Sequence, residues 1–319
     1  MTFSIVALDP ATGDLGVAVQ SKFLAVGAVV PWAAAGVGAV ATQSYANVAY
    51  GPDGLAAMRG GASAADALAA LTAADPLRDQ RQAGIVDAHG GSATYTGRGC
   101  MAWAGGRTGS GWAAQGNILA GAGVVDGLAD TYLAGGAPFP ELLVRCLAAA
   151  DAAGGDRRGR ESAALYIARA GGGYGGGNDR YLDLRVDQHD DPITELGRVL
   201  SFHHLYFDRP SPEELISVTA SLAAELRAGL DRLGAGPGGW TARVYAPMDP
   251  TYEPDEADAD AARSFVGDPR PLPEGWNDAW QAALVSWMGV ENVEERTAAP
   301  GWIDPRVLEV LRARVAAAR

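Results

Sequence analysis

Residues 3–21 fix the first folding unit of this chain. FSIVAL (3–8) and GVAVQS (16–21) are apolar runs containing β-branched residues, and DPATGD separates them. Two such runs around an Asp/Pro/Gly-bearing connection predict a β-hairpin. The same grouping recurs downstream. Strands are expected at 36–43, 82–88, 92–96 and 112–119, then at 162–169 and 180–187 around the glycine-rich GGGYGGG. Helices are expected in pairs between these groups: two after residue 43, the second capped by Ser63, and two more near 122–134 and 138–152. Strands in hairpin-linked groups, without strict βαβα alternation, argue for an α+β chain with mainly antiparallel sheets packed between helix layers.

The C-terminal third reads differently. A helix is expected over 211–233, with Ser211 as N-cap, Pro212 at its first position and Gly234 as its stop. GAGPGG and the acidic, proline-bearing stretch 248–262 follow as a linker. Helices are then expected at 276–290 and 304–318, the first carrying Trp276, Trp280 and Trp287 at helical spacing. That stripe suits a core, or alternatively an aromatic ligand face. The expected division is a domain over 1–234, a linker over 235–264 and a small helical module over 265–319.

Charge and composition narrow the function classes. A net charge of −13 argues against a nucleic-acid partner. No apolar run approaches membrane-spanning length, and the first 15 residues lack the features of a signal peptide, so a cytoplasmic setting is expected. Cys100 and Cys146 match no metal or disulfide spacing, and His89, His189, His203 and His204 lack ligand spacing. No metal or organic cofactor is expected. Among 25 basic residues Lys22 is the only lysine. Either a coding bias left it behind, or it does what a permanently charged guanidinium cannot.

Thr2 opens the first strand. A threonine hydroxyl is a weak nucleophile and needs a base within hydrogen-bond reach. Its own α-amine, which titrates near about 8, can serve if Met1 is removed. A central strand would hold amine and hydroxyl rigidly. Ser21 could support Thr2 or turn to the other face. Acyl transfer also needs donors for a developing oxyanion; Asn117, or backbone amides of 36–43, could supply them, with Gln43 and Gln115 as neighbouring substrate contacts. Asp156 and Arg157, with Arg158 beside them, offer either a carboxylate-binding fork or a structural ion pair.

The first 22 residues resemble the N-terminal nucleophile (Ntn) hydrolase superfamily. In its proteasome-type members the nucleophile strand leads into G-V-x-V-A-x-D-S-R, and here Gly16 to Lys22 read G-V-A-V-Q-S-K. The acidic position is Gln20, and the superfamily's later lysine falls among Ala33 to Ala35. A wider resemblance, carried by MTFSIVA, KFLAVGAVVPWA, GVGAVATQ, RQAGIVDAHG, QGNILAG, GGDRRGRESAAL and VDQHDDP, covers about residues 1–230. Those segments are similar to the family catalogued as domain of unknown function 1028, placed among Ntn-hydrolase-like folds. The tail, 265–319, resembles a peptidoglycan-binding module. The resemblance implies a four-layer αββα Ntn-hydrolase-like sandwich with a small C-terminal helical module. It also implies an amidohydrolase acting on an amide, imide or ureido bond of a small molecule, with Thr2 as nucleophile and Lys22 as electrostatic modulator. A non-catalytic scaffold binding a small metabolite or peptidoglycan fragment is the alternative. A homo-oligomer is expected in either case.

Overall fold

The computed structural model describes residues 2–244 and 265–318. The chain forms two compact units, Met1–Leu200 and Ser201–Arg319. The first holds two antiparallel sheets. The larger is built from β1 (Thr2–Leu8), β2 (Leu15–Ser21), β7 (Gly105–Gly109), β8 (Trp112–Asn117), β9 (Ser162–Ala168) and β10 (Arg180–Val186). Its spatial order is β10-β9-β2-β1-β8-β7, so β1 lies in its middle. The smaller sheet has the order β3-β4-β5-β6, from β3 (Pro31–Ala34), β4 (Gly38–Ser44), β5 (Arg81–Asp87) and β6 (Ser92–Thr96).

Strand alternation sorts the side chains of β1 onto two faces. Phe3, Ile5 and Ala7 join a core cluster with Leu128 and Leu143, which lie on α3 (Gly123–Ala134) and α4 (Phe139–Ala152). Val6 faces the other way and shares a cluster with Val17, Ala41 and Val86, so the two sheets pack on each other. The outer face of the smaller sheet, through Val40 and Ile85, packs with Leu55 and Leu68. These belong to α1 (Tyr50–Arg59) and α2 (Ala64–Ala74). The layers therefore run helix, sheet, sheet, helix. Each fully buried Phe, Ile or Leu in them contributes roughly 1.5–3 kcal/mol.

Most expected elements form with ends shifted by a residue or two. Ser63 caps α2 by accepting the Asp66 amide, and GGGYGGG joins β9 to β10. Among the elements not anticipated are β3, β7 and α5 (Pro192–Phe207). The sequence of β7, GGRTG, has the composition of a loop. It becomes a strand because β8 offers an unpaired edge whose backbone groups need partners.

The second unit corrects two expectations. The helix expected over 211–233 begins only at Thr219, which caps α6 (Ala220–Arg232) by accepting the Leu222 amide. Ser211 to Glu214 instead form a 3-10 turn with its own capping box. The short strand β11 (Ile216–Ser217) pairs with β12 (Trp302–Ile303), interrupting any continuous helix. The boundary also falls at Leu200 rather than 234, because Leu226 and Leu230 of α6 share a core with Trp287 and Leu308. Trp287 lies on α8 (Asp278–Val290), which follows the single turn α7 (Thr241–Val244), and Leu308 lies on α9 (Pro305–Ala317). Trp276 and Trp287 are buried in that core and Trp280 packs against it, so the tryptophan stripe is structural. Arg296, itself buried, bonds Asp304 at 2.7 Å and the Leu205 carbonyl at 2.7 Å. The acidic stretch 248–262 lies outside the described residues.

Gly84 of β5 packs directly against the other sheet: a Cβ there would fall on the carboxamide of Gln115. Gly84→Ala is therefore expected to destabilise the first unit by about 1–3 kcal/mol through overpacking, read as a lower urea midpoint. An unchanged midpoint would mean that the sheets part without cost at this point.

Candidate functional site

The middle strand places Thr2 between two partners. Its register sets it opposite Ser21 on β2 and opposite Asn117 on β8. Its hydroxyl lies 3.0 Å from the Ser21 hydroxyl in a buried contact, and Ser21 Oγ also accepts the Phe23 amide at 3.1 Å. Thr2 and Asn117 line a cleft of about 520 Å³, together with Gln43, Arg81, Arg158 and apolar side chains such as Phe23 and Met101. Two other lining residues, Ser44 and Ile118, have left-handed backbones at φ 71° and 54°. A β-branched residue in that region is strained and persists only where its surroundings hold it. At Ile118 the amide donates to the Met101 carbonyl, and the bend carries the chain from β8 to a bridge between Leu119 and Asp156.

Below the cleft, carboxamides span the gap between the sheets. Gln115 Nε2 donates to Ser4 Oγ at 2.7 Å, and Ser4 Oγ donates to Gln43 Oε1 at 2.8 Å. Gln43 Nε2 donates to Gln82 Oε1 at 2.8 Å, and Gln82 Nε2 to the Gly116 carbonyl at 2.7 Å. Asn117 Nδ2 joins the same Gln82 oxygen at 2.9 Å. All five side chains are buried. Each bond fixes the orientation of the next amide, since an oxygen that accepts leaves its nitrogen to donate. Asn117 thus reaches the cleft with one amide hydrogen committed and, among the described residues, no partner for the other.

Other expected residues sit elsewhere. Lys22 Nζ bonds Glu161 at 2.7 Å and the Arg160 carbonyl at 3.0 Å, at an exposed position. It does not line the cleft, and its ammonium is paired with the neighbouring Glu161 carboxylate. Asp156 is structural. Its carboxylate accepts the Lys22 amide at 3.0 Å and the Arg158 amide at 2.8 Å, tying the end of β2 to the following turn. Arg157 donates to the Ala102 carbonyl at 3.4 Å, and it is Arg158 that lines the cleft. Gln115 lies in the amide relay rather than on the cleft wall. Gln20 pairs with Phe3 on the opposite face from Thr2, and its buried amide has no partner among the described residues.

Comparison with known proteins now bears on this geometry. A family model described as "Family of unknown function (DUF1028)" matches residues 2–196, more than half of the chain. The chain belongs to that family. The crystal structure of protein SPO2555 from Silicibacter pomeroyi, matched to the same family model, is 30% identical. The match covers 64% of this chain and 89% of that one, with a TM-score of 0.58. A second model, described as "Putative peptidoglycan binding domain", matches residues 269–311. None of the curated proteins matches. Among the described residues no helix is long and apolar enough to cross a membrane, and no group of three or more His, Cys, Asp or Glu side chains could hold a metal ion.

Arg81 is the residue of the DUF1028 domain that the sequence did not single out. It starts β5, beside Gln82 of the relay, and no local motif marks it. Its Nε donates to Asp75 at 2.9 Å and its Nη1 to the Tyr45 carbonyl. Asp75 also accepts from Tyr50, Asn47 and the Leu77 amide. The Arg81 guanidinium, followed by these other donors, holds the Asp75 carboxyl at about 2, against an ordinary 3.8. A carboxyl depressed by folding adds stability that is fully present above its unfolded value and is lost as pH falls through its folded one. The contribution here is roughly 2 kcal/mol. Asp75→Asn is expected to lower the urea midpoint at pH 7, with the gap to the parent chain narrowing as pH falls from 4 towards 2. A gap constant across that range would remove Asp75 from the acid-sensitive groups.

Proposed function

We propose that this chain is an Ntn-type amidohydrolase that cleaves an amide, imide or ureido C–N bond of a small molecule, with Thr2 as nucleophile once Met1 is removed. One observation carries the reading: the Thr2 hydroxyl, on the middle strand of a sheet, meets Ser21 Oγ at 3.0 Å in a cleft that Asn117 shares. On this reading a free Thr2 amine takes the hydroxyl proton as Oγ1 attacks the substrate carbonyl carbon. The spare Asn117 amide hydrogen stabilises the developing oxyanion. Collapse breaks the C–N bond, and the amine returns its proton to the leaving nitrogen. Water, deprotonated by the same amine, then hydrolyses the ester and frees Thr2. Ser21 orients the hydroxyl. The four-layer arrangement supports an Ntn-hydrolase-like classification, and the proposal keeps the expected cytoplasmic homo-oligomer. No cofactor enters the scheme.

Turnover of a panel of small amides, imides and ureides tests it. Thr2→Ala should abolish activity and Thr2→Ser should keep part of it, because serine retains hydroxyl and amine. A residue retained ahead of Thr2 should abolish activity too, since it turns the basic amine into an amide. Full activity in a preparation whose intact mass includes Met1 would sink the mechanism.

The match over residues 269–311 favours a second reading, a scaffold that binds a cell-wall fragment. Retention of the full chain on purified sacculi, with no turnover of any panel member, is the result expected from it. Passage through unbound would discard it.

A further inference from the structure

We infer that the cleft takes a substrate bearing a single carboxylate, received by Arg81 and Arg158. The inference deepens the proposed hydrolase reading and rests on it for the identity of the cleft as the substrate site. The chain carries 38 acidic and 25 basic side chains, yet among the described residues no acidic one lines the cleft and two arginines do. Both stand close to Thr2 through the chain's connections. Arg81 pairs with Ser44 in register, one residue from Gln43, whose Nε2 is 3.4 Å from the Thr2 carbonyl. Arg158 follows Asp156, which holds the Lys22 amide directly after Ser21.

Arg81 is arranged as a receptor rather than as a surface cation. Its side chain is 13% exposed, and Asp75 and the Tyr45 carbonyl hold its Nε and Nη1. Its Nη2 has no hydrogen-bond partner among the described residues. With Nε and Nη1 both held, the guanidinium cannot swing, and Nη2 is presented at a set position as a charged donor for a carboxylate oxygen. Arg158 is half exposed, with Asp156 3.6 Å from its Nη2. Each guanidinium thus has an aspartate behind it, which favours a monoanion over a doubly charged phosphate. The remaining lining is largely apolar, with Phe23 and Met101 more than half exposed. An N-acylated or N-carbamoylated amino acid with an apolar side chain has this combination of groups.

Binding to the full-length Thr2→Ala chain tests the carboxylate without depending on turnover. Titration calorimetry would compare N-acetylphenylalanine and N-carbamoylphenylalanine with their C-terminal carboxamides, which match in shape and lack the charge. At least one acid should bind about tenfold tighter than its amide. Arg158→Gln should erase that preference while leaving the amide's affinity unchanged, and Arg81→Gln should do the same if its melting temperature holds. Equal affinity of acid and amide, absence of binding at roughly 10 mM, or a preference that survives Arg158→Gln would each overturn the inference. A carboxylate preference in a chain that hydrolyses nothing would leave this inference standing and remove the hydrolase reading alone.

Discussion

The relay of buried carboxamides between the two sheets is the interaction on which the first unit's function-bearing end depends. Ser4, Gln43, Gln82, Gln115 and Asn117 lie where a sheet-on-sheet core would ordinarily be aliphatic. Leaving one such polar group unpaired costs about 1–3 kcal/mol, so the network stands or falls together. It accepts only one spacing of the sheets and one rotation of each amide. Gly84 belongs to the same constraint, because a side chain there would occupy the volume of the Gln115 carboxamide. Towards the hairpin end of β1, Val6 and Val17 restore an apolar interface. The core therefore changes character along the strand, from dry packing to a directional polar array that ends at Thr2.

Rigid surroundings make strained backbone affordable. Ser44 and Ile118 take left-handed conformations at the ends of β4 and β8, where each strand turns out of its sheet and onto the cleft wall. Both bends sit next to relay members, Gln43 and Asn117, whose hydrogen bonds resist relaxation. Asp156 does comparable work on the other side by binding the chain at Lys22 and at Arg158. The cleft is thus bordered by backbone held from behind, which is the condition for a preorganised site.

The second unit rests on a different device. Arg296 and Asp304 form a buried pair whose guanidinium also satisfies the carbonyls of His204 and Leu205. Replacing one partner in such a pair leaves an uncompensated buried charge, the costly case for ion pairs. Around it, Trp276, Trp287 and the leucines of α6 and α9 complete a small helical core.

Periodicity and turn chemistry determined much of this by themselves. The alternation in TFSIVA already separates Thr2, Ser4 and Val6 from Phe3, Ile5 and Ala7. The hairpin through DPATGD already brings Ser21 back to the Thr2 end of the strands, while the register of the folded sheet decides that it faces Thr2. Hairpin-linked strands gave antiparallel sheets between helix layers, and Ser63 announced α2. What the tertiary structure decided was the destination of long side chains and the partners of weak segments. Lys22 was visible as the only lysine, but Glu161 and the Arg160 carbonyl, 139 and 138 residues away, take its charge. Arg158 rather than Arg157 reaches the cleft, because backbone held by Asp156 sets which of two adjacent guanidiniums points inward. Arg81 carried no local signal at all. Its guanidinium is placed by Asp75, six residues earlier in the chain, and by the Tyr45 carbonyl, which the pairing of β4 with β5 brings alongside. GGRTG and residues 211–218 misled in the same way, since a strand edge and the partner strand β12 outweigh local propensity. Local sequence decides what repeats along one element, whereas hydrogen bonds and charges are settled by whichever partner the fold brings within about 3 Å.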